Sequence, residues 1–362
     1  MLKSMFLGCA VVAIGSMASV TAIEACTRAV YLGSDDLVIT GRSMDWVEDI
    51  GSNLWVFPRG MHHDGAAGPN SVKWTSKYGS ATVAGYDKAT TDGMNEKGLV
   101  ANLLYLSDSS FGKAGDRPVL SISMWAQYVL DNYATVAEAV ADLETERLAV
   151  VPLTLPNGAP SDLHLSISDP SGDSAIFEYV DGKLSIHHGK QYQVMTNEPP
   201  MAQQEALDAY WRTVGGNAFL PGTIKPEDRF VRASFFIRAL PKSVDAKLVT
   251  AVPDASYGNQ AVAGVLSVMR TVSTPFGMQI EGEPNNASTL WRTVADQKNL
   301  VYVFDSATSP DAFWVDFANL DFSEGAPVKK LTMAGGKVYS GDVAGKLAPA
   351  KPFEFLQATP SS

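Results

Sequence analysis

The chain has 362 residues, of which 46% are apolar and 19% charged, and its formal net charge is −11. That apolar fraction supports a large core and argues against a disordered chain. The negative charge argues against nucleic acid and anionic lipid as partners, since both would repel it.

The first segment reads as a leader. Lys3 precedes the apolar run "MFLGCAVVAIGSMASV", which closes on "TAIEA" with small Ala25 last and Ile23 two residues before it. These are the three parts of a secretory signal. The run is too short and too broken by Gly and Ser to act as a bilayer anchor, and no later stretch reaches membrane-span length. Cleavage after Ala25 is expected, giving a mature protein that is periplasmic or secreted. It removes Cys9 and leaves Cys26 as the sole thiol and the first residue. No internal disulfide can then form, although an oxidising compartment permits one.

Strands are expected at Thr27–Leu32 and Leu37–Arg42, joined by a turn at "GSDD", then at Leu54–Pro58, Ser80–Ala84 and Gly98–Leu106. Helices follow over "VLSISMWAQYVLDNY" and "TVAEAVADLETERL", the second opened by Thr135 with Glu138 three residues on. Strands resume at "LHLSISD", "DSAIFEYVDG", "KLSIHHG" and "YQVMTN". Helices return at "MAQQEALDAYWR", "PEDRFVRASFFIRAL" and "NQAVAGVLSVMRTV", before closing strands at "STLWRTVAD", "NLVYVFDS" and "AFWVDF". Strands and helices come in blocks, without a βαβα rhythm, which predicts antiparallel sheets covered by helices. One domain over residues 26–350 is expected, with residues 351–362 fraying because they are rich in Pro, Ala and Ser.

An N-terminal cysteine carries its own chemistry. A thiol of pKa about 8.5 is mostly protonated at neutral pH, while an α-amine of pKa about 7.7–8.0 is partly neutral there and can act as base. On one residue, nucleophile and base are covalently fixed in position. Two other readings are a small buried hydrophobe and a lipid-modified cysteine anchoring a binding protein. Glu24 ahead of Cys26, and a strand after it instead of a polar tether, disfavour the lipid anchor.

The second strand returns Arg42 and Asp45 towards Cys26; a guanidinium there favours the thiolate, and a carboxylate suits the amine. Asn197 ends "YQVMTN" directly before Glu198-Pro199-Pro200, a stiff stop. Trp46 and Trp125 are aromatic candidates for an acyl pocket, with core packing as the ordinary alternative. The His62-His63 and His187-His188 pairs and His164 lack cysteine partners and metal-ligand spacing, and neighbours on a strand point to opposite faces. No metal and no cofactor is expected. The Gly-x-Ser-x-Gly elbow of serine hydrolases is absent.

In this order, "CT", "GRSMDW", "DGMNEKGL", "VMTNEPP", "PEDRFVRASFF" and "TLWRTVADQKNLVYVFD" resemble the choloylglycine hydrolase family. That family contains conjugated bile acid hydrolases and penicillin V acylases and belongs to the N-terminal nucleophile hydrolases. The resemblance implies an α+β, four-layer αββα fold with two stacked antiparallel sheets. It also implies amide hydrolysis through Cys26 and a thioester, with Arg42, Asp45 and Arg229 in the active site. Asn197 would be the side-chain oxyanion donor and the backbone N–H of Tyr105 the second donor. Bile acid hydrolases carry Asn at the position of Tyr105, whereas penicillin V acylases carry Tyr. The expected substrate is therefore a small acyl amide, penicillin V or an N-acyl homoserine lactone, with a conjugated bile acid as the alternative. A homo-oligomer is expected, a tetramer by family analogy. The segment between Asn197 and Arg229 is shorter than the assembly loop of bile acid hydrolases, which puts their tetramer geometry in question.

Overall fold

The computed structural model describes residues 26–281 and 287–359. The leader and its cleavage site lie outside the described residues. Two sheets dominate. The first has seven strands in the order Val194–Thr196, Thr27–Leu32 (β1), Val38–Trp46 (β2), Ser288–Asp296, Val301–Ser306, Ala312–Asp316 and Gly341–Asp342. The second has nine, from Lys183–His188 through Ser174–Val180, Leu163–Ser168, Val100–Tyr105, Ala89–Asn95, Ser80–Gly85, Leu54–Phe57 and Lys329–Leu331 to Ala348–Pro349. Pairing is antiparallel throughout, save that Gly341–Asp342 runs parallel to its neighbour.

Five α-helices are described: α1 (Trp125–Asn132), α2 (Val136–Leu143), α3 (Met201–Val214), α4 (Pro226–Ala239) and α5 (Tyr257–Thr271). α1 and α2 pack on the outer face of the second sheet, α4 and α5 on that of the first, and α3 packs on α4. The result is the four-layer αββα fold of N-terminal nucleophile hydrolases. Met44 and Trp46 of the first sheet share one core with Met94, Leu104 and Ile176 of the second. Polar bonds also cross the gap: Thr40 Oγ1 lies 2.7 Å from Ser168 Oγ, and Tyr302 donates to Asp92.

β2 shows why the site forms where it does. All nine of its residues are buried, because one face meets α5 and α4 and the other meets the second sheet. Side chains alternate along a strand. Gly41 faces α5, so Arg42, Met44 and Trp46 face the second sheet, while Ser43 and Asp45 turn back to the helices. β1 pairs with β2 in a register that sets Thr27 opposite Ser43; Cys26, one residue earlier, continues that register opposite Met44.

Most expected strands and helices come close to their observed spans, and three differences bear on the site and its surroundings. The segment expected to begin the first helix is a short strand, Val119–Ser121, followed by a 3₁₀ turn. Ala89–Asn95, too polar to read as a strand, is a largely buried strand of the second sheet. The tail does not fray as expected over the described residues up to 359. Phe353 packs edge-on to Trp55 (5.2 Å between centroids), Phe355 packs on Phe353, and Ala358 N donates to Ala66 O at 2.8 Å. Aromatic anchors outweigh the Pro/Ala/Ser composition there.

A Cβ at Gly41 would stand 2.7 Å from Met269 Cγ and 2.8 Å from Val265 Cγ1. Gly41→Ala therefore overpacks the β2–α5 layer and is expected to cost about 1–3 kcal/mol, seen as a lower urea midpoint at unchanged m-value.

Candidate active site

The alternation on β2 divides the site into a cleft side and a helix side. On the cleft side, Cys26 Sγ accepts from the backbone N–H of Asp45 at 3.4 Å and lies 3.8 Å from Arg42 Nη2. That guanidinium nitrogen also donates to Leu103 O at 3.0 Å, which ties the first sheet to the second. Trp291 lies against the Arg42 guanidinium, 4.6 Å from ring centroid to Cζ, a cation–π contact. The thiol thus sits beside a fixed cation and one backbone donor, a setting that favours a thiolate.

On the helix side, Arg229 of α4 is fully buried. Its Nη1 donates to Cys26 O at 3.1 Å and to Thr27 Oγ1 at 2.6 Å, and pairs with Asp45 Oδ2 at 3.4 Å. Its Nη2 lies 3.5 Å from Asn197 Oδ1. Asp45 is further held by the Thr289 hydroxyl and by Ser43 Oγ at 3.4 Å. Burial pushes the Asp45 carboxyl up to about 6, against the lowering effect of Arg229, Thr289 and Arg42. Burial likewise lowers Arg229 to about 10, against the raising effect of Asp45. At neutral pH both partners remain charged.

Asn197 is fully buried, and its Nδ2 has no hydrogen-bond partner among the described residues. A guanidinium can only donate, so it fixes the Asn197 carbonyl towards itself and leaves the amide N–H₂ as the presented donor. Leaving a buried donor unpaired costs about 1–3 kcal/mol. Such a group is suited to an oxygen that becomes negative only during reaction.

Tyr105 ends its strand opposite Leu163. Leu106 N bonds to Asp162 O, and in an antiparallel ladder bonded and non-bonded pairs alternate. The Tyr105 N–H therefore points away from the Leu163 strand, towards the side where pairing with Ala89–Asn95 has already ended at Asn102. The Tyr105 side chain bonds to Asp162, and its ring meets Trp46 edge-on at 6.2 Å. Trp46 Nε1 in turn donates to Tyr86 OH at 3.1 Å.

Cys26, Arg42, Met44, Trp46, Tyr86 and Tyr105 line one cleft together with Ile122, Leu153, Leu155, Leu163 and Leu356. Apart from Arg42 its lining carries no charged side chain and is largely apolar, so it accepts an apolar moiety next to the thiol. The structure thus brings together Cys26, Arg42, Asp45, Asn197 and Arg229 by contact, and Tyr105 and Trp46 along the same cleft. Trp125 instead stays in the core beneath the second sheet, against Tyr179. Sequence reasoning missed Thr289, Ser43 and Trp291. Thr289 reaches Asp45 only through the register of a strand more than two hundred residues later. No group of three or more His, Cys, Asp or Glu able to hold a metal occurs among the described residues.

A four-layer sandwich with a cysteine, paired buried charges and a presented amide donor defines a hydrolase of amide bonds. The sequence model of the linear amide C–N hydrolases, choloylglycine hydrolase family, matches residues 26–328, and the chain belongs to that family. It is 47% identical over 348 residues to a penicillin V acylase of Pectobacterium atrosepticum, covering 91% of this chain and 92% of that protein. A solved structure of penicillin V acylase from Agrobacterium tumefaciens, 52% identical, matches with a TM-score of 0.83 over 91% of this chain and 99% of the other. A bile salt hydrolase/transferase of Clostridium perfringens is more distant, at 28% over 250 residues, 60% of this chain and 73% of that protein.

The Asp45 shift has a consequence for stability. Its folded value, about 6, exceeds the ordinary value of 3.8. Between those values the folded state holds a proton that the unfolded chain has released, so this group's contribution falls as pH rises from about 4 to 6 and is level above. Asn at position 45 cannot titrate. The stability of Asp45→Asn relative to wild type is expected to rise over that interval by roughly 1.4 kcal/mol per pH unit at most, measured by urea unfolding at pH 4, 5, 6 and 7.

Proposed function

We propose that the protein is an exported, proteolytically matured acyl-amide hydrolase acting on penicillin V and on N-acyl homoserine lactones, with Cys26 as nucleophile and the α-amine of Cys26 as general base. The observation that carries this reading is one convergence: a thiol beside Arg42, an unpartnered buried amide donor on Asn197 oriented by Arg229, and an apolar cleft opening at the thiol. The similarity to two penicillin V acylases, from different organisms, supports the substrate class.

In this mechanism leader removal after Ala25 creates the amine. The amine takes the thiol proton as sulfur attacks the acyl carbonyl. The oxygen that gains the charge is held by Asn197 Nδ2–H and the Tyr105 N–H. Collapse breaks the C–N bond, and the α-ammonium returns its proton to the departing amine. A thioester remains on Cys26. Water, deprotonated by the same amine, attacks it, passes through a second oxyanion, and releases the carboxylic acid and the thiol. The Asp45 carboxylate and Arg229 hold the main chain of Cys26, because Arg229 Nη1 grips Cys26 O, Thr27 Oγ1 and Asp45 together. Arg42 serves the sulfur. Trp46 and Tyr105 supply the aromatic wall for the acyl group.

Asn197→Ala is expected to lower kcat about 10²–10³-fold with a folded protein. Cys26→Ser and a chain retaining Ala25 should each lose nearly all turnover, and intact mass with N-terminal sequencing of the purified exported protein should give Cys26 as first residue. An uncleaved precursor with full activity would remove the amine from the mechanism. The substrate class is tested by catalytic efficiency on penicillin V, an N-acyl homoserine lactone and a conjugated bile salt with one enzyme preparation. A steroid acyl group carries hydroxyls that the aliphatic walls leave unpaired, at about 1–3 kcal/mol each, so the bile salt should be the poorest. A tenfold advantage for the bile salt would overturn the reading.

A further inference from the structure

The match to the family model stops at residue 328, yet one wall of the cleft comes from the chain beyond it. Leu356 lines the cleft beside Ile122 and Ser123, and it belongs to neither sheet. Three hydrogen bonds hold it in place. Ser121 Oγ and Ser123 Oγ both donate to Leu356 O, at 2.8 and 2.9 Å, and Leu356 N donates to Lys88 O at 3.0 Å. Two residues on, Ala358 N donates to Ala66 O. Upstream, Phe353 and Phe355 lie on Trp55 and His63. With its own N–H and C=O both engaged in backbone and hydroxyl bonds, Leu356 offers the cleft its side chain.

We infer that residues 353–358 form a strap that closes part of the acyl cleft, and that Leu356 sets the length of acyl chain accepted. This rests on the reading of the cleft as the acyl site. The strap is anchored at both ends by aromatic packing and hydrogen bonds, so the leucine is a fixed stop and not a loose flap. The stop is aliphatic and lies among Leu153, Leu155 and Leu163, so the group it limits is an alkyl or aryl chain, not a polar head. A chain that reaches Leu356 gains apolar contact up to that point, and a longer one meets it.

The test is kcat/KM of the mature protein on a series of N-acyl amides sharing one amine, with acyl chains of about four to fourteen carbons. Leu356→Ala opens the stop and should move the optimum to longer chains, with a gain over wild type of about fourfold for each methylene newly buried. Leu356→Phe should move it to shorter chains, and volume-conserving Leu356→Met should keep the wild-type profile. Thermal midpoints read alongside separate folding from selectivity. A uniform loss across all lengths with an unchanged optimum would make the strap purely structural and overturn the inference. Should Leu356→Ala not fold, the shortened optimum of Leu356→Phe carries the same decision. A wild-type protein that hydrolyses none of the series would instead overturn the reading of the cleft itself.

Discussion

The placing of Cys26 and Asn197 depends on one buried cation. Arg229 comes from α4, and its three nitrogens reach Ile224 O, Cys26 O, Thr27 Oγ1, the Asp45 carboxylate and Asn197 Oδ1. It therefore joins a helix to the two adjacent strands that carry Cys26 and Asn197. Desolvating such a group costs several kcal/mol, which only good geometry and full hydrogen bonding offset. The Arg229 fork supplies both, where the single ammonium of a lysine would not reach acceptors spread over adjacent strands. Breaking the pair would leave a buried unpaired charge, at about 3–5 kcal/mol. The same contacts that stabilise the layer also orient the reactive groups, so stability and site geometry are one constraint here.

The second constraint is register. Cys26, Arg42, Met44 and Trp46 face the cleft because their parity differs from that of Thr27, Ser43 and Asp45. A slip of one residue between β1 and β2 would exchange the two sets. The thiol would then face α4, and Asp45 would enter an aliphatic cleft. Gly41 guards this arrangement from the helix side, since α5 approaches too closely there for a side chain. Behind Arg42, the buried carboxylate of Asp92 accepts from Tyr302 and from Asn102 at 2.6 Å. Asp92 is held above its usual range by burial, with the Arg42 charge opposing that rise. The "DGMNE" motif thus contributes to the charge balance of the site from the second sheet.

Much of this was legible in the sequence because it is local. Alternation marked β1 and β2, and helical periodicity marked α3, α4 and α5 to within two or three residues at each end. Cys26, Arg42 and Asp45 lie on one hairpin, so a strand–turn–strand reading was enough to bring them together. Asn197 and Arg229 needed the family resemblance, since nothing in a strand end or a helix arginine announces a shared partner. Thr289 was hidden because its contact with Asp45 is set by sheet order. Ala89–Asn95 was hidden because its polar residues are satisfied inside the sandwich: Thr90 by Gln127, Asn95 by Leu130 O and Tyr133 O. The tail misled through composition; Phe353, Phe355 and Leu356 decide its fate, and the Pro, Ala and Ser around them do not.

The proposed chemistry also explains the placing of charge. Arg42 and Arg229 lie on opposite faces of one sheet, one at the sulfur and one at the main chain of the same cysteine. Asp45 sides with the main chain, where cleavage before Cys26 would add an ammonium in the mature protein. A carboxylate that burial holds at about 6 against the charges of Arg229, Arg42 and Arg292 would gain a further cationic neighbour at that step, and opposite charge favours the ionised form. The amine in turn needs a neutral fraction at working pH to act as base. Were that amine present, the guanidinium of Arg229 would lower its proton affinity and the Asp45 carboxylate would raise it. Arg229 and Asp45 are coupled through one contact, so the balance that would set the proposed base is the same one that holds α4 on the sheet.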